Sequence, residues 1–337
     1  MRFISAAAVL VGMVSVLGAS GCGGAGAAGA PGGDGKLTLV AYSTPQEAYE
    51  EIIPAFEKTP AGKGVSFDQS YGSSGEQSRA VEAGLPADVV ALSLEPDITR
   101  LVDAGLVGND WNAGRYRGMV TDSVVVFAVR KGNPKGIRTW DDLVRPGVEV
   151  ITPNAFTSGG ARWNVMAAYG AQLKRGKSPE EALAYLRELF SHVSVQDKSA
   201  RESLQTFAGG KGDVLLAYEN EAITAQEKGE ELDYVVPDET ILVENPVAVT
   251  SESGSPENAR AFVTFLRSPK AQRIFGDKGY RPVVKSVFDE FRYPIPPGLF
   301  TIDDLGGWAD VSERFFDRES GLMSEIENDL GVSVEPG

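Results

Sequence analysis

The sequence predicts an α/β protein of two lobes, each a mostly parallel sheet flanked by helices. Three observations carry that prediction. Short β-rich runs alternate with amphipathic helical runs, the alternation occurs twice along the chain, and helix starts rich in small hydroxyl residues follow strands in both sets. Continuous apolar strands separated by helices imply right-handed crossovers and a parallel sheet covered on both faces.

In the first set, residues 37–41 read as a buried strand. Ser43-Thr44-Pro45 then starts a helix at Gln46, with Tyr49, Ile52, Ile53 and Phe56 spaced for one apolar face. Residues 65–70 are the next strand, followed by Tyr71-Gly72-Ser73-Ser74-Gly75 and a helix over 76–81. A strand at 88–92 and a helix at 97–104 complete a βαβαβα pattern. A long β-branched run at 124–130 ends in Lys131-Gly132-Asn133-Pro134, and Thr139 starts a short helix.

The second set opens with a strand at 148–152 that breaks at Pro153-Asn154. Thr157-Ser158-Gly159-Gly160 then stands immediately before a helix over 161–173. A helix at 179–192 carries Leu183, Leu186, Leu189 and Phe190 on one face, and residues 193–195 form a short strand. Asp197 to Glu202 opens the helix with Leu204 and Phe207, and a strand at 213–217 runs into Tyr218-Glu219-Asn220-Glu221. One more strand, 246–250, precedes helices at 256–266 and 269–275. The tail from Ser286, richer in Pro, Asp and Glu, is expected to wrap the surface.

The chain's beginning stands apart. Arg2, an apolar stretch over 4–17 and the small residues Ala19-Ser20-Gly21 read as a secretory signal peptide over residues 1–21. Cys22, the only cysteine, follows directly, as in a bacterial lipoprotein signal, where it would be cut free and lipidated; one cysteine allows no intramolecular disulfide. Residues 22–36, mostly Gly, Ala and Pro, read as a flexible linker. The 337 residues carry a formal net charge of −15, which excludes nucleic acid and anionic membrane surfaces as partners. An anion would have to be held by local donors against the global field.

Such donors recur. Ser43-Thr44, Ser73-Ser74-Gly75, Thr157-Ser158-Gly159-Gly160 and Ser199-Ala200 each follow a strand and precede a helix. The first N–H groups of a helix lack partners and carry partial positive charge, and ligands of open α/β sheets sit where such loops converge. Two clusters in each set suggest a cleft between the lobes. No Lys lies in the clusters, no Asp or Glu stands inside the Ser74 or Ser158 loops, and Arg162 and Arg201 sit just inside helices, where they would brace the loops. Neutral donors suit a fully ionised tetrahedral anion, and the lack of a carboxylate acceptor favours sulfate over proton-bearing phosphate. Enzyme chemistry finds no support: His192 is the sole histidine, no Gly-x-Ser-x-Gly elbow is present, and neither a metal site nor a cofactor is implied.

Several blocks resemble the signature of sulfate-binding proteins, the extracytoplasmic subunits of sulfate ABC importers. They are residues 70–77 (Ser-Tyr-Gly-Ser-Ser-Gly-Glu-Gln), 87–90, 129–134, 151–154, 158–164 (Ser-Gly-Gly-Ala-Arg-Trp-Asn), 213–215 and 219–222, in order within about 37–320. Glu95-Pro96-Asp97-Ile98 and Leu305-Gly306-Gly307-Trp308 resemble the lipid-anchored actinobacterial type. The resemblance implies a two-lobed type II periplasmic-binding-protein fold, with lobe 1 at 37–122 and 247–337, lobe 2 at 123–246, and crossing strands near 124–129 and 247–250 as the hinge. It implies that the backbone N–H groups of Ser43, Ser74, Gly159, Gly160 and Ala200 bind sulfate, helped by the Ser158 hydroxyl and Tyr218. It further implies a monomeric lipoprotein, anchored outside the cell membrane through Cys22, that serves a membrane permease. Two departures, Ser43 where the family commonly has Asp and Tyr218 where it commonly has Trp, leave thiosulfate or molybdate as the alternative ligand.

Overall fold

The computed structural model describes residues 35–334, so the expected signal peptide, Cys22 and the linker through residue 34 lie outside the described residues. The first half comprises β1 (Gly35–Tyr42), α1 (Gln46–Glu57), β2 (Val65–Gly72), α2 (Ser74–Glu82), β3 (Val89–Ala91) and α3 (Glu95–Asp103). The long strand β4 (Met119–Arg130) leads to a 3-10 turn at Trp140–Val144, then β5 (Val150–Ile151), α4 (Gly159–Lys174), α5 (Pro179–Ser191) and β6 (Val193–Val195). Next come α6 (Ala200–Ala208), β7 (Val214–Tyr218), α7 (Glu219–Glu227), β8 (Leu232–Val235) and β9 (Leu242–Val249). The chain continues through α8 (Pro256–Leu266), α9 (Pro269–Asp277), β10 (Arg281–Pro282), α10 (Lys285–Phe288), α11 (Gly307–Phe316) and α12 (Leu322–Asp329).

The strands run in the order β2-β1-β3-β9-β4-β7-β5-β6, with β8 and β10 pairing β4 off this path. β1 pairs β2 and β3 in parallel, and β5 pairs β6 and β7 in parallel, as crossover helices require. Between these groups lie two antiparallel strands. β9 pairs β3 through Val247–Val249 and β4 through residues 242–246, so β4 and β9 run side by side where one group gives way to the other. The apolar face expected on α1 is used as predicted: Tyr49, Ile52, Ile53 and Phe56 are buried with Leu37, Leu39 and Phe262 in one cluster. A larger cluster gathers β4, β7, α4 and α5 through residues such as Phe127, Leu216, Trp163 and Leu189.

Three expectations differ from the structure. β1 begins at Gly35, so residues 35 and 36 belong to a strand rather than to the linker, with Lys36 paired to Asp68 on the neighbouring strand. Helix α7 and strand β8 form where the sequence reading placed only a strand end and loop. The tail is not a surface wrap of the first lobe. Its helices α11 and α12 bury Trp308, Val311, Phe315, Phe316, Met323 and Ile326 in the same cluster as Trp163 and Tyr169. The reason is the helical spacing of residues 308, 311 and 315, which makes an apolar stripe, and α4 offers it an aromatic partner: Trp163 and Trp308 meet edge to face at 4.7 Å.

Candidate anion-binding site

The carboxyl ends of β1, β2 and β7 and the starts of α2, α4 and α6 surround a cavity of about 10 Å³. That is room for one small compact group and far too little for a drug-sized molecule. Ser43, Ser74, Ser158, Gly159, Gly160, Ala200 and Tyr218 all line it, joined by Tyr42, Thr44, Gly72, Ser73, Ser93 and Ser199. The lining thus holds no charged side chain. Arg162 and Arg201, expected as braces, stand outside it. Arg162 donates from Nε to Ala155 O at 3.0 Å and lies over the Phe316 ring.

Each helix start is positioned by identifiable bonds. The loop before α4 is tied to the loop before α6, because Asn154 N–H donates to Asp197 O (2.8 Å) and the Thr157 hydroxyl donates to Lys198 O (2.7 Å). Asn164 of α4 reaches back to Thr152 Oγ1 and Leu216 O, both at 2.9 Å, fixing the helix on the ends of β5 and β7. Ser158 is the N-cap of α4 but makes no capping bond with its side chain, and the first turn of α4 contains no acidic residue. Ser73 stands likewise before α2 with no capping bond, and its buried Oγ has no hydrogen-bond partner. A buried helix start without cap or counter-charge leaves partly positive N–H groups to be satisfied by something else. At α4, which has neither, those donors belong to Gly159 and Gly160; α2, opened by Ser74, lacks a cap but carries Glu76 in its first turn, and α6, opened by Ala200, is capped by Ser199.

The side chains settle which donors are free. The Ser74 hydroxyl donates to Asp97 Oδ2 at 2.6 Å and accepts the Ser93 N–H at 2.9 Å, so its proton is spent inside the protein and only its backbone N–H remains. Tyr218 and Ser93 share a hydrogen bond of 2.7 Å between their hydroxyls. Burial pushes the Tyr218 phenol well above its ordinary range, so it stays protonated. Gly159 is required by a close approach: a Cβ there would lie 2.0 Å from Leu94 Cδ2 and 2.9 Å from Ser93 Cβ. At Gly160 the same atom would meet Ala200 Cβ and Ser158 Oγ at 3.4 Å, and Tyr218 Oη at 3.7 Å. Gly160 therefore sits among the lining residues, while Gly159 lets the two halves of the molecule touch.

Further bonds hold those halves together. Trp163, buried in the core, also donates its indole N–H to Ser93 O at 2.9 Å. Arg201 grips the Glu47 carboxylate with two bonds of 2.5 and 2.6 Å and reaches Ser43 O and Thr44 O, while Lys228 pairs with the same carboxylate. Although burial opposes ionisation, the bonds from Arg201 and Lys228 hold the Glu47 carboxyl down at about 2. Glu219 and Glu221, one and three residues beyond Tyr218, are buried but do not line the cavity. Glu219 forms a buried ion pair with Arg281 at 2.8 Å, and burial, opposed by Arg201, pushes Glu221 up to about 7.

Sequence reasoning missed Ser93 and Asp97. Their signal is slight: one serine between Leu92 and Leu94 after a strand, and an acid in the first turn of α3. Among the described residues no group of His, Cys, Asp and Glu is arranged to hold a metal ion.

The chain matches the model of the bacterial extracellular solute-binding proteins over residues 37–281. A sulfate-binding protein of Synechococcus elongatus is 46% identical over 292 residues, which cover 83% of each chain. A second, from Synechocystis sp., is 40% identical and covers 88% of this chain and 87% of its own. The solved structure of the sulfate-binding protein SubI from Mycobacterium tuberculosis H37Rv superposes with a TM-score of 0.82 at 44% identity, covering 84% of this chain and 99% of that one. These relatives are named as binding proteins rather than enzymes, and their fold is the two-lobed one predicted from the alternating elements. With this fold, and with this similarity over most of its length, the chain belongs to the bacterial extracellular solute-binding proteins, beside their sulfate-binding members.

Proposed function

We propose that the protein is an extracytoplasmic receptor that captures one sulfate ion between its lobes and hands it to an ABC importer. The observation that carries this reading is a small cavity where the starts of α2, α4 and α6 converge, the first two without a side-chain cap, and no charged side chain intrudes. Stripping a dianion of water is costly unless every oxygen is met by a donor. Here the N–H groups of Ser74, Gly159, Gly160 and Ala200, the N–H of Ser43 and the hydroxyls of Ser158 and Tyr218 would supply them, spreading the charge over several helix dipoles. Phosphate near neutral pH carries a proton best met by a carboxylate acceptor, and the cavity lining contains none.

Most of the cavity lining is buried, with only Ser43, Gly72 and Ala200 half-buried, so capture would require the lobes to part and close again. The strands shared by the two groups, β4 and β9, are the hinge in this proposal, with residues 37–122 and the chain after 247 on one side and 123–246 on the other, and α11 and α12 riding with the second. Lipidation of Cys22 would tether the monomer to the outer face of the cell membrane, and the closed form would dock on the permease. Calorimetric titration with sulfate, then thiosulfate, molybdate and phosphate, tests the assignment. Tight one-to-one sulfate binding that phosphate cannot match is expected. Preference for thiosulfate or molybdate would keep the receptor and change its ligand, and no oxyanion binding would end the reading.

A further inference from the structure

Ser93 lies in the loop between β3 and α3, and all of its polar atoms are committed. Its N–H goes to Ser74 Oγ, its carbonyl oxygen accepts from Trp163 Nε1 and from Asn245 Nδ2, and its hydroxyl meets Tyr218. Ser93 follows β3 of one parallel group, whereas Tyr218 ends β7 and Gly159 and Trp163 lie on α4 after β5 of the other, and Gly159 is pressed against Ser93 and Leu94. Ser93 is therefore a point where the halves are fastened, and it also lines the cavity.

The hydroxyl pair has a chemical consequence. Each hydroxyl has one proton, and a bond of 2.7 Å between them uses only one of the two. The second proton must find another acceptor or stay unused in a buried site. Both residues line the cavity, and a Cβ at Gly159 would lie 2.8 Å from Ser93 Oγ and one at Gly160 3.7 Å from Tyr218 Oη, so the paired hydroxyls stand beside the start of α4. An indole in place of Tyr218 would donate one bond and could take no part in such an exchange.

We propose that Ser93 and Tyr218 form a cross-cleft clasp that gives one hydroxyl proton to closing the lobes and the other to the bound anion, with either residue able to serve as the anion's donor. Ser93 is thereby a specificity-determining residue of the site. This rests on the sulfate-receptor reading above. Removing one hydroxyl breaks the clasp but leaves the other free to turn its proton to the anion. Removing both takes away the clasp and the anion's donor together.

The test is a double-mutant cycle on sulfate affinity with Ser93→Ala, Tyr218→Phe and the double variant, alongside Trp163 fluorescence as a report of closure. Each single change is expected to weaken sulfate binding about fivefold, the worth of one neutral hydrogen bond, and the double change on the order of 100-fold or more, because a charge-assisted bond goes too. The double loss thus exceeds the product of the singles. A double loss equal to that product would mean two independent contacts and overturn the clasp. A double loss no larger than one single would mean that neither hydroxyl touches the anion, and overturn the shared donor. Thermal unfolding of the ligand-free variants separates misfolding from lost binding, and Tyr218→Phe, which keeps the ring, suffices alone if Ser93→Ala does not fold: no weakening there also overturns the clasp. If the unaltered protein binds no sulfate, it is the receptor reading that fails.

Discussion

Helices α4 and α5 follow one another in the chain, each begins after a serine, and they use that serine in opposite ways. Ser178 before α5 accepts the Glu181 N–H on its Oγ at 3.2 Å, and the Glu181 carboxylate accepts the Ser178 N–H at 2.8 Å. This reciprocal cap, with Glu180 and Glu181 in the first turn, satisfies the helix from within. Ser158 before α4 makes no capping bond, no acid follows it, and the start of α4 is buried. The α5 start is complete as folded. The α4 start is left without a side-chain cap or an acid in its first turn, and in the proposed function an anion completes it. A serine before a helix is thus no sign of a site by itself, and a capped start can still border the cavity, as that of α6 behind Ser199 does.

The largest expected effect comes from the contact that makes the α4 start accessible. Gly159→Val places side-chain atoms where Leu94 and Ser93 already stand, so sulfate affinity should fall on the order of 100-fold or more while the ligand-free protein still unfolds cooperatively. Gly160→Ala meets nothing closer than 3.4 Å and should lose less than about tenfold, a ranking that titration of the two variants checks directly. Binding by Gly159→Val close to the unaltered level would show that the halves need not touch there.

Glu47 is the next lever. Glu47→Gln removes the charge that Arg201 and Lys228 share, and sulfate affinity should drop several-fold with little change at the cavity wall. The pH dependence has a definite sign. A carboxyl held at about 2 adds stability above its ordinary value of 4.5, and that stability is lost as pH falls from there through about 2. Acid unfolding of Glu47→Gln should therefore show a shallower loss between those values.

The comparison of the two serines predicts a crossed outcome. Ser178→Ala should cost about 1 kcal/mol of stability and leave sulfate affinity unchanged. Ser158→Ala should change stability little and weaken affinity. Equal effects on both readouts in both variants would erase the distinction. The smallest effect concerns Glu221, which burial holds up at about 7. A raised carboxyl pKa disfavours the fold as pH climbs from about 4.5 through 7, so thermal stability should decline modestly from pH 5 to pH 8, and Glu221→Gln should flatten that decline.

The parts of this molecule governed by local chemistry were legible in the sequence. The alternation of β1, α1, β2 and α2 follows from apolar periodicity and from hydroxyl residues at helix starts, and the four clusters at Ser43, Ser74, Ser158 and Ala200 do meet around one cavity. What escaped depends on distant partners. Helix α7 has little apolar periodicity, and its first turn is buried through Glu219 meeting Arg281, 62 residues away. The tail was expected to wrap the surface, and the stripe on α11 went unread because its destination on α4 is set by tertiary packing of Trp163 on Trp308. Ser93 and Asp97 gain meaning only when Tyr218 and Ser74 arrive beside them.

The most direct measurement is the anomalous diffraction of a crystal grown with selenate, a tetrahedral dianion like sulfate whose selenium can be located unambiguously. The account predicts a single peak in the cavity, its oxygens at hydrogen-bond distance from the backbone nitrogens of Ser74, Gly159, Gly160 and Ala200. A peak held instead by arginine side chains, with the start of α4 vacant, would contradict it.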